Sequence, residues 1–209
     1  MHKSAKIINV DSDRIVAVSE AKKIYHSGGI FIYPTDTIYG FGCDPFNITA
    51  LQNLNNIKGR DEQKQYILLV DSVSTLLKYI ALNDNQVIEL LKNIWPNPIS
   101  IIFKLNHQTR NLLNYDAAAF RIPDNSFCLE LLSELNAPLI STSVNISSRK
   151  PLTNFQSVKK EFAEKVNVIF FTEESENQVA STLVDLTKRP PTILREGKIN
   201  FMELWQKLC

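Results

Sequence analysis

Apolar positions along this chain fall into two spacings, and the alternation between them predicts the fold. Val18, Ala21, Ile24 and Tyr25 recur at helical intervals, and Gly28 suits the left-handed residue that ends such a helix. Ile30–Tyr33 is a short β-forming run closed by Pro34. Ile48, Leu51, Leu54 and Ile57 stripe a second helix, begun at Asn47 and ended near Gly59. Val87, Leu90, Leu91 and Ile94 mark another, halted by the segment Trp95 to Pro98. Further helices are expected near Phe127–Leu135 and Phe155–Val166. Strands are expected at Ala5–Val10, Tyr66–Val70, Ile99–Leu105, Ala117–Ile122, Pro138–Ser141, Val168–Phe171, Thr182–Leu186 and Thr192–Arg195, with a polar loop between the third and fourth of these. Strands alternate with helices early and pair more directly late. The pattern predicts an α/β (α+β) fold, an open, twisted mixed sheet with helices on its faces.

Length and composition narrow the picture only slightly. The 209 residues, without internal repeat or Gly/Ser linker, predict a single domain. A net charge of +1 excludes a globally basic nucleic-acid coat, so an anion site must come from local clustering. Cys43, Cys128 and Cys209 are scattered, and so are His2, His26 and His107, so no metal site is expected. Reduced thiols, no membrane-length apolar run and a polar N-terminus predict a cytoplasmic protein.

Four polar clusters could carry chemistry. Thr35, Asp36 and Thr37 follow a core strand at once, as a capped turn or as the floor of a site. Lys58, Arg60 and Lys64 crowd the end of a helix, where they complement its dipole or clamp an anion. Ser143 and Asn145 flank Val144, so an extended backbone points both the same way. Arg121 and Arg195 each end a strand-like run, and aimed into one crevice they would add two fixed cations. There is no P-loop, dinucleotide turn or nucleophile elbow, so covalent catalysis has little support.

At these residues the chain resembles the YrdC family of threonylcarbamoyl-AMP synthases. "YPTDTIYGFGCDP" resembles its P-T-[DE]-T-x-Y-G segment, and Lys58–Arg60 with Ser143–Asn145 its K-x-R and S-x-N signature. "WPNPISIIFK", "FRIP", "STLVDLT" and "ILREGKI" resemble its later motifs, in order, out to residue 199. Departures are Asp61 after the arginine, Asn97 in place of glycine in W-P-G-P, and Ser148 in place of the glycine after S-x-N-x-S.

The resemblance implies a sheet curved around a basic hollow, and an enzyme joining L-threonine, bicarbonate and ATP, with Mg²⁺ arriving on the ATP. It implies Thr35, Arg121 and Ser181 for threonine. For ATP it implies Lys58, Arg60, Lys64, Ser143, Asn145, Thr153 and Arg195. Of these, Lys58, Arg60, Ser143 and Asn145 would be central to catalysis. Downstream partner proteins would pass the threonylcarbamoyl group to tRNA. The alternative is a non-catalytic paralogue that binds RNA in the same hollow.

Overall fold

The computed structural model describes residues 4–60, 65–173, 179–188 and 190–208, with the side chains of 206–208 excepted. Asp61, Lys64 and Cys209 therefore lie outside the described residues. The first half of the chain runs β1 (Lys6–Asn9), α1 (Arg14–His26), β2 (Phe31–Tyr33), β3 (Gly40–Gly42), α2 (Ile48–Lys58), β4 (Ile67–Leu69), α3 (Val73–Leu76) and α4 (Asn85–Ile94). It continues with β5 (Ile99–Lys104), α5 (His107–Leu113), β6 (Ala117–Arg121), α6 (Ser126–Leu135) and β7 (Leu139–Ser143). Last come α7 (Phe155–Phe162), β8 (Val168–Phe171), β9 (Thr182–Asp185), β10 (Thr192–Arg195) and α8 (Phe201–Leu208).

Short polar residues set the helix starts. Asp13, Asn47, Ser72, Asp84, Asn106, Asn125 and Asn154 each accept a backbone N–H from the first turn that follows. Gly59 ends α2 in the left-handed region at φ 56°, and Gly28 leaves α1 at φ 72°. The expected polar loop before β6 is in fact α5, a helix whose capping asparagines, Asn106 and Asn114, gave it the look of a loop. The second glycine pair is a strand, β3. A Cβ on Gly42 would meet the rings of Phe31 and Tyr33 at 2.7–2.9 Å, so only glycine lets these aromatics cross.

The strands form one sheet in the order β1-β8-β2-β3-β7-β4-β6-β5-β9-β10. It is mixed: β1–β8, β8–β2, β4–β6 and β5–β9 are parallel, and the other neighbours are antiparallel. Alternation along each strand divides the core in two. Ile32, Leu68, Ile101, Phe120 and Ile169 face the larger cluster, with α2, α4 and α7. Phe31, Tyr33, Leu69, Leu139 and Phe170 face the other side, against α1 and α6. Arg121 pairs in register with Leu69, and Leu69 with Leu139, so Arg121 shares the α1–α6 side of the sheet. That helix pair packs against Leu69 and Leu139 as well as against β2 and β8, and the hollow draws its lining from β3, β4, β6, β7, β9 and β10. Among the described residues no helix is long and apolar enough to cross a membrane.

Two departures from the family pattern resolve structurally. Asn97 does not use the left-handed conformation that glycine would supply. Its side-chain amide donates instead to the Ile94 carbonyl at the end of α4 (2.5 Å). Ser148 does take the left-handed conformation, at φ 68°, so its loop keeps the bend a glycine would make. A Cβ there is strained. Ser148→Gly is expected to raise stability by about 0.5–1 kcal/mol, read from the urea midpoint at unchanged slope.

Candidate functional site

The hollow is a cleft of about 320 Å³ lined from distant parts of the chain. Thr37, Arg60, Tyr66, Arg121, Ser141, Ser143, Ser181 and Arg195 stand on its walls, and among the described residues none of its lining is acidic. Lys58, Thr35, Asn145 and Thr153 lie outside that lining.

The turn after β2 explains the position of Thr35. Its hydroxyl donates to the Ile38 carbonyl (2.8 Å) and accepts from the Thr37 amide (3.0 Å). Arg121 Nη1 donates to Thr37 Oγ1 at 3.1 Å, and Thr37 Oγ1 lies 3.0 Å from Thr35 Oγ1. Guanidinium only donates, so the chain runs from Arg121 to Thr37 to Thr35 to the Ile38 carbonyl. Thr35 is thus the brace of the turn, and Thr37 is the hydroxyl on the cleft wall. Both readings of this segment hold at once: it is a capped turn, and it forms part of the hollow. Behind it, the Asp36 carboxylate sits 3.5 Å from Arg121 Nη2, both side chains nearly solvent-free.

Lys58, the last residue of α2, is 2% exposed. Its ammonium donates to the Ser143 carbonyl (2.5 Å), the Asn145 carbonyl (3.1 Å) and Asn145 Oδ1 (3.2 Å). Ser143 Oγ donates to the same Oδ1 at 2.7 Å, and the Asn145 amide bonds the carbonyls of Ile146 and Arg149. The same-side placement expected for Ser143 and Asn145 is therefore realised through Lys58. The lysine braces the cleft floor from beneath, and Ser143 faces in. Burial, and then the nearby Arg60 guanidinium, push Lys58 from its ordinary 10.5 down to about 7.

Gly59 then turns the chain so that Arg60 reaches the wall. Its guanidinium lies 4.5 Å from the Tyr66 ring centroid and donates to the Gln65 carbonyl at 2.7 Å. Tyr66 is itself held by Asn55 on α2. On the opposite wall Arg195 donates twice to Ser181, through Nε to its carbonyl (3.0 Å) and Nη2 to its hydroxyl (3.1 Å). Burial pushes the Arg60 and Arg195 groups below their ordinary range, and for Arg195 the Arg121 charge adds to it. The Nε atoms of Arg60 and Arg121 are buried without a hydrogen-bond partner among the described residues. Crowded, under-satisfied cations around a hydroxyl-lined space make a receptor for a multiply charged anion.

Of the residues singled out from the sequence, the structure brings Arg60, Arg121, Ser143, Ser181 and Arg195 together on one cleft. Thr37, expected with Thr35 and Asp36 at the floor of a site, is on the wall, whereas Tyr66 and Ser141 were not singled out as lining residues. Ser141 was within reach, since it alternates with Ser143 along β7 and must share its face.

A family model named Sua5, YciO and YrdC, described as telomere recombination, matches residues 23–197. Among solved structures, the chain is similar to a double variant of P. abyssi Sua5, with 26% identity and a TM-score of 0.88 over 97% of this chain and 63% of that one. It is similar to P. abyssi Sua5 complexed with L-threonine, with 24% identity and a TM-score of 0.87 over 99% and 61%. It is also similar to E. coli YciO, with 25% identity and a TM-score of 0.83 over 96% and 98%. The chain thus spans less than two thirds of the length of the Sua5 proteins it matches.

The Lys58 geometry sets a pH dependence. Between about 7 and 10.5 the unfolded chain holds a proton on Lys58 that the folded chain does not. The contribution of this residue to stability therefore rises with pH through that window and is lowest below it. In urea unfolding at several pH values, wild-type stability minus that of Lys58→Met is expected to grow from neutral to alkaline pH. A constant difference would show that the lysine stays charged when folded.

Proposed function

The chain belongs to the Sua5/YciO/YrdC family, and we propose that it is an L-threonylcarbamoyladenylate synthase. It would convert L-threonine, bicarbonate and ATP into threonylcarbamoyl-AMP and pyrophosphate. The observation that carries this reading is the gathering on one cleft of Arg60, Arg121 and Arg195 with the hydroxyls of Thr37, Ser143 and Ser181. A structurally similar Sua5 is complexed with L-threonine, which supports an amino acid as one ligand of the cleft.

In this proposal the ATP phosphates lie between Arg60, the Ser143–Asn145 turn above Lys58, and Arg195, with Lys64 and Thr153 completing the nucleotide side. Arg121 and Ser181 hold the threonine carboxylate against the turn braced by Thr35. The deprotonated threonine amine adds to bicarbonate with loss of water, giving a carbamate. A carbamate oxygen then bonds the α-phosphorus as the bond from that phosphorus to the β-bridging oxygen breaks, and pyrophosphate leaves.

The protein supplies orientation and charge rather than a nucleophile. A polyphosphate also favours protonated Lys58, which strengthens the floor as the cleft fills. Among the described residues no three His, Cys, Asp or Glu side chains converge. That donor set fits Mg²⁺ carried by phosphate oxygens and water, whose chemistry is charge neutralisation on the phosphates. Downstream transferase proteins would take the product to tRNA.

The test is pyrophosphate release from MgATP with each substrate omitted in turn. Release is expected only with both L-threonine and bicarbonate, and Lys58→Ala or Arg60→Ala is expected to lower it by roughly 100-fold. Release indifferent to threonine would overturn the proposal. Salt-sensitive tRNA binding without turnover would favour the RNA-binding paralogue instead.

A further inference from the structure

Ser100 carries an inference about how the amino-acid end of the cleft selects its ligand, one that rests on the synthase reading. It is fully buried on β5, between core residues Ile99 and Ile101, so its side chain faces the cleft side of the sheet. It lies one residue beyond the Ile101–Phe120 pair, beside Arg121 on β6, and β9 flanks it with Leu183 in register. Ser100 thus stands between the two strands that present Arg121 and Ser181.

Its Oγ is 2.9 Å from Ser181 Oγ, and among the described residues that is its sole hydrogen-bond partner. A buried hydroxyl hydrogen without an acceptor costs about 1–3 kcal/mol. Ser181, which borders the cleft, can send its own hydrogen there and Ser100 cannot, so Ser100 is assigned as the donor in this pair. Arg195 Nη2, which can only donate, makes a second bond to the same oxygen at 3.1 Å. With both lone pairs of Ser181 engaged, its own hydrogen is left to donate, and the space it borders is the cleft.

The backbone of Ser181 is fixed as well. Arg195 Nε holds its carbonyl, and a Cβ on Gly197 would come within 2.4 Å of the Ala180 oxygen and the Thr182 nitrogen. The glycine of "ILREGKI" is thus a close-approach glycine pressing on the Ser181 segment.

We propose that Ser100 is a positioning residue that makes Ser181 a one-way hydrogen-bond donor. This corner of the cleft then accepts an anionic oxygen, the carboxylate of the amino acid, and rejects a ligand that offers an N–H there. Without Ser100, Ser181 regains a free lone pair and can accept from a donor ligand.

The test is calorimetric binding of L-threonine and of L-threoninamide, which replaces the carboxylate with an amide, to wild type, Ser100→Ala, Ser100→Cys and Ser100→Thr. Circular dichroism checks that each variant is folded. Ser100→Cys keeps a similar volume with a weak donor, so loss of packing can be told from loss of the hydroxyl.

Wild type is expected to prefer L-threonine. The ratio of the two affinities is expected to fall by roughly tenfold in the Ala and Cys variants and to recover in the Thr variant. An unchanged ratio, including equal weakening of both ligands, would overturn the proposal. Wild type that binds ATP but not L-threonine would instead overturn the synthase reading beneath it.

Discussion

The site depends on one buried ammonium that has no carboxylate beside it among the described residues. Moving a lone charge out of water is expensive unless hydrogen bonds replace its hydration. Lys58 meets that requirement with three oxygens, all supplied by Ser143 and Asn145. The Ser147 amide reinforces the junction by donating to the Lys58 carbonyl at 2.7 Å. The end of α2 and the turn after β7, far apart in sequence, are thereby welded together. Arg60 inherits its position from the first and Ser143 from the second. A carboxylate counterion would have satisfied the lysine more cheaply, but it would also have cancelled the positive field that the cleft floor presents.

Much of this was legible in the chain because its polar residues break apolar runs abruptly. A carboxylate and hydroxyls straight after Ile30–Tyr33, and Ser141 to Asn145 straight after Leu139–Ile140, have few purely structural uses. Asn47 and Gly59 bounded α2 correctly because caps and left-handed stops are local chemistry. What stayed hidden was relational. Phe41 is the sole apolar side chain of β3, and the reason for Gly42 lies on β2, in the rings of Phe31 and Tyr33. The anchoring of the Thr37 hydroxyl at the cleft wall depends on Arg121 arriving from β6. Neither fact has a signature within its own segment.

Arg121 also shows how the two sides of the cleft differ. It has a buried carboxylate behind it at 3.5 Å, so its charge is partly balanced before any ligand arrives. Lys58, Arg60 and Arg195 have no such partner among the described residues, and burial pushes all three downward. A balanced arginine suits a singly charged carboxylate, whereas unbalanced cations suit a polyphosphate. The cleft thus holds both kinds of cation, as the proposed pairing of an amino acid with a nucleotide would require.

The strand order has a consequence for the chain as it leaves the ribosome. β5 sits between β6 and β9, so its second neighbour is made long after its first. Until residues beyond 180 emerge, the nascent sheet ends at an apolar edge, Ile99 to Phe103, with its backbone groups open on one side. The strand that shields this edge is also the one that begins beside Ser181. Protection of this edge and the arrival of Ser181 at the site therefore come from the same strand, and a half-made chain has neither.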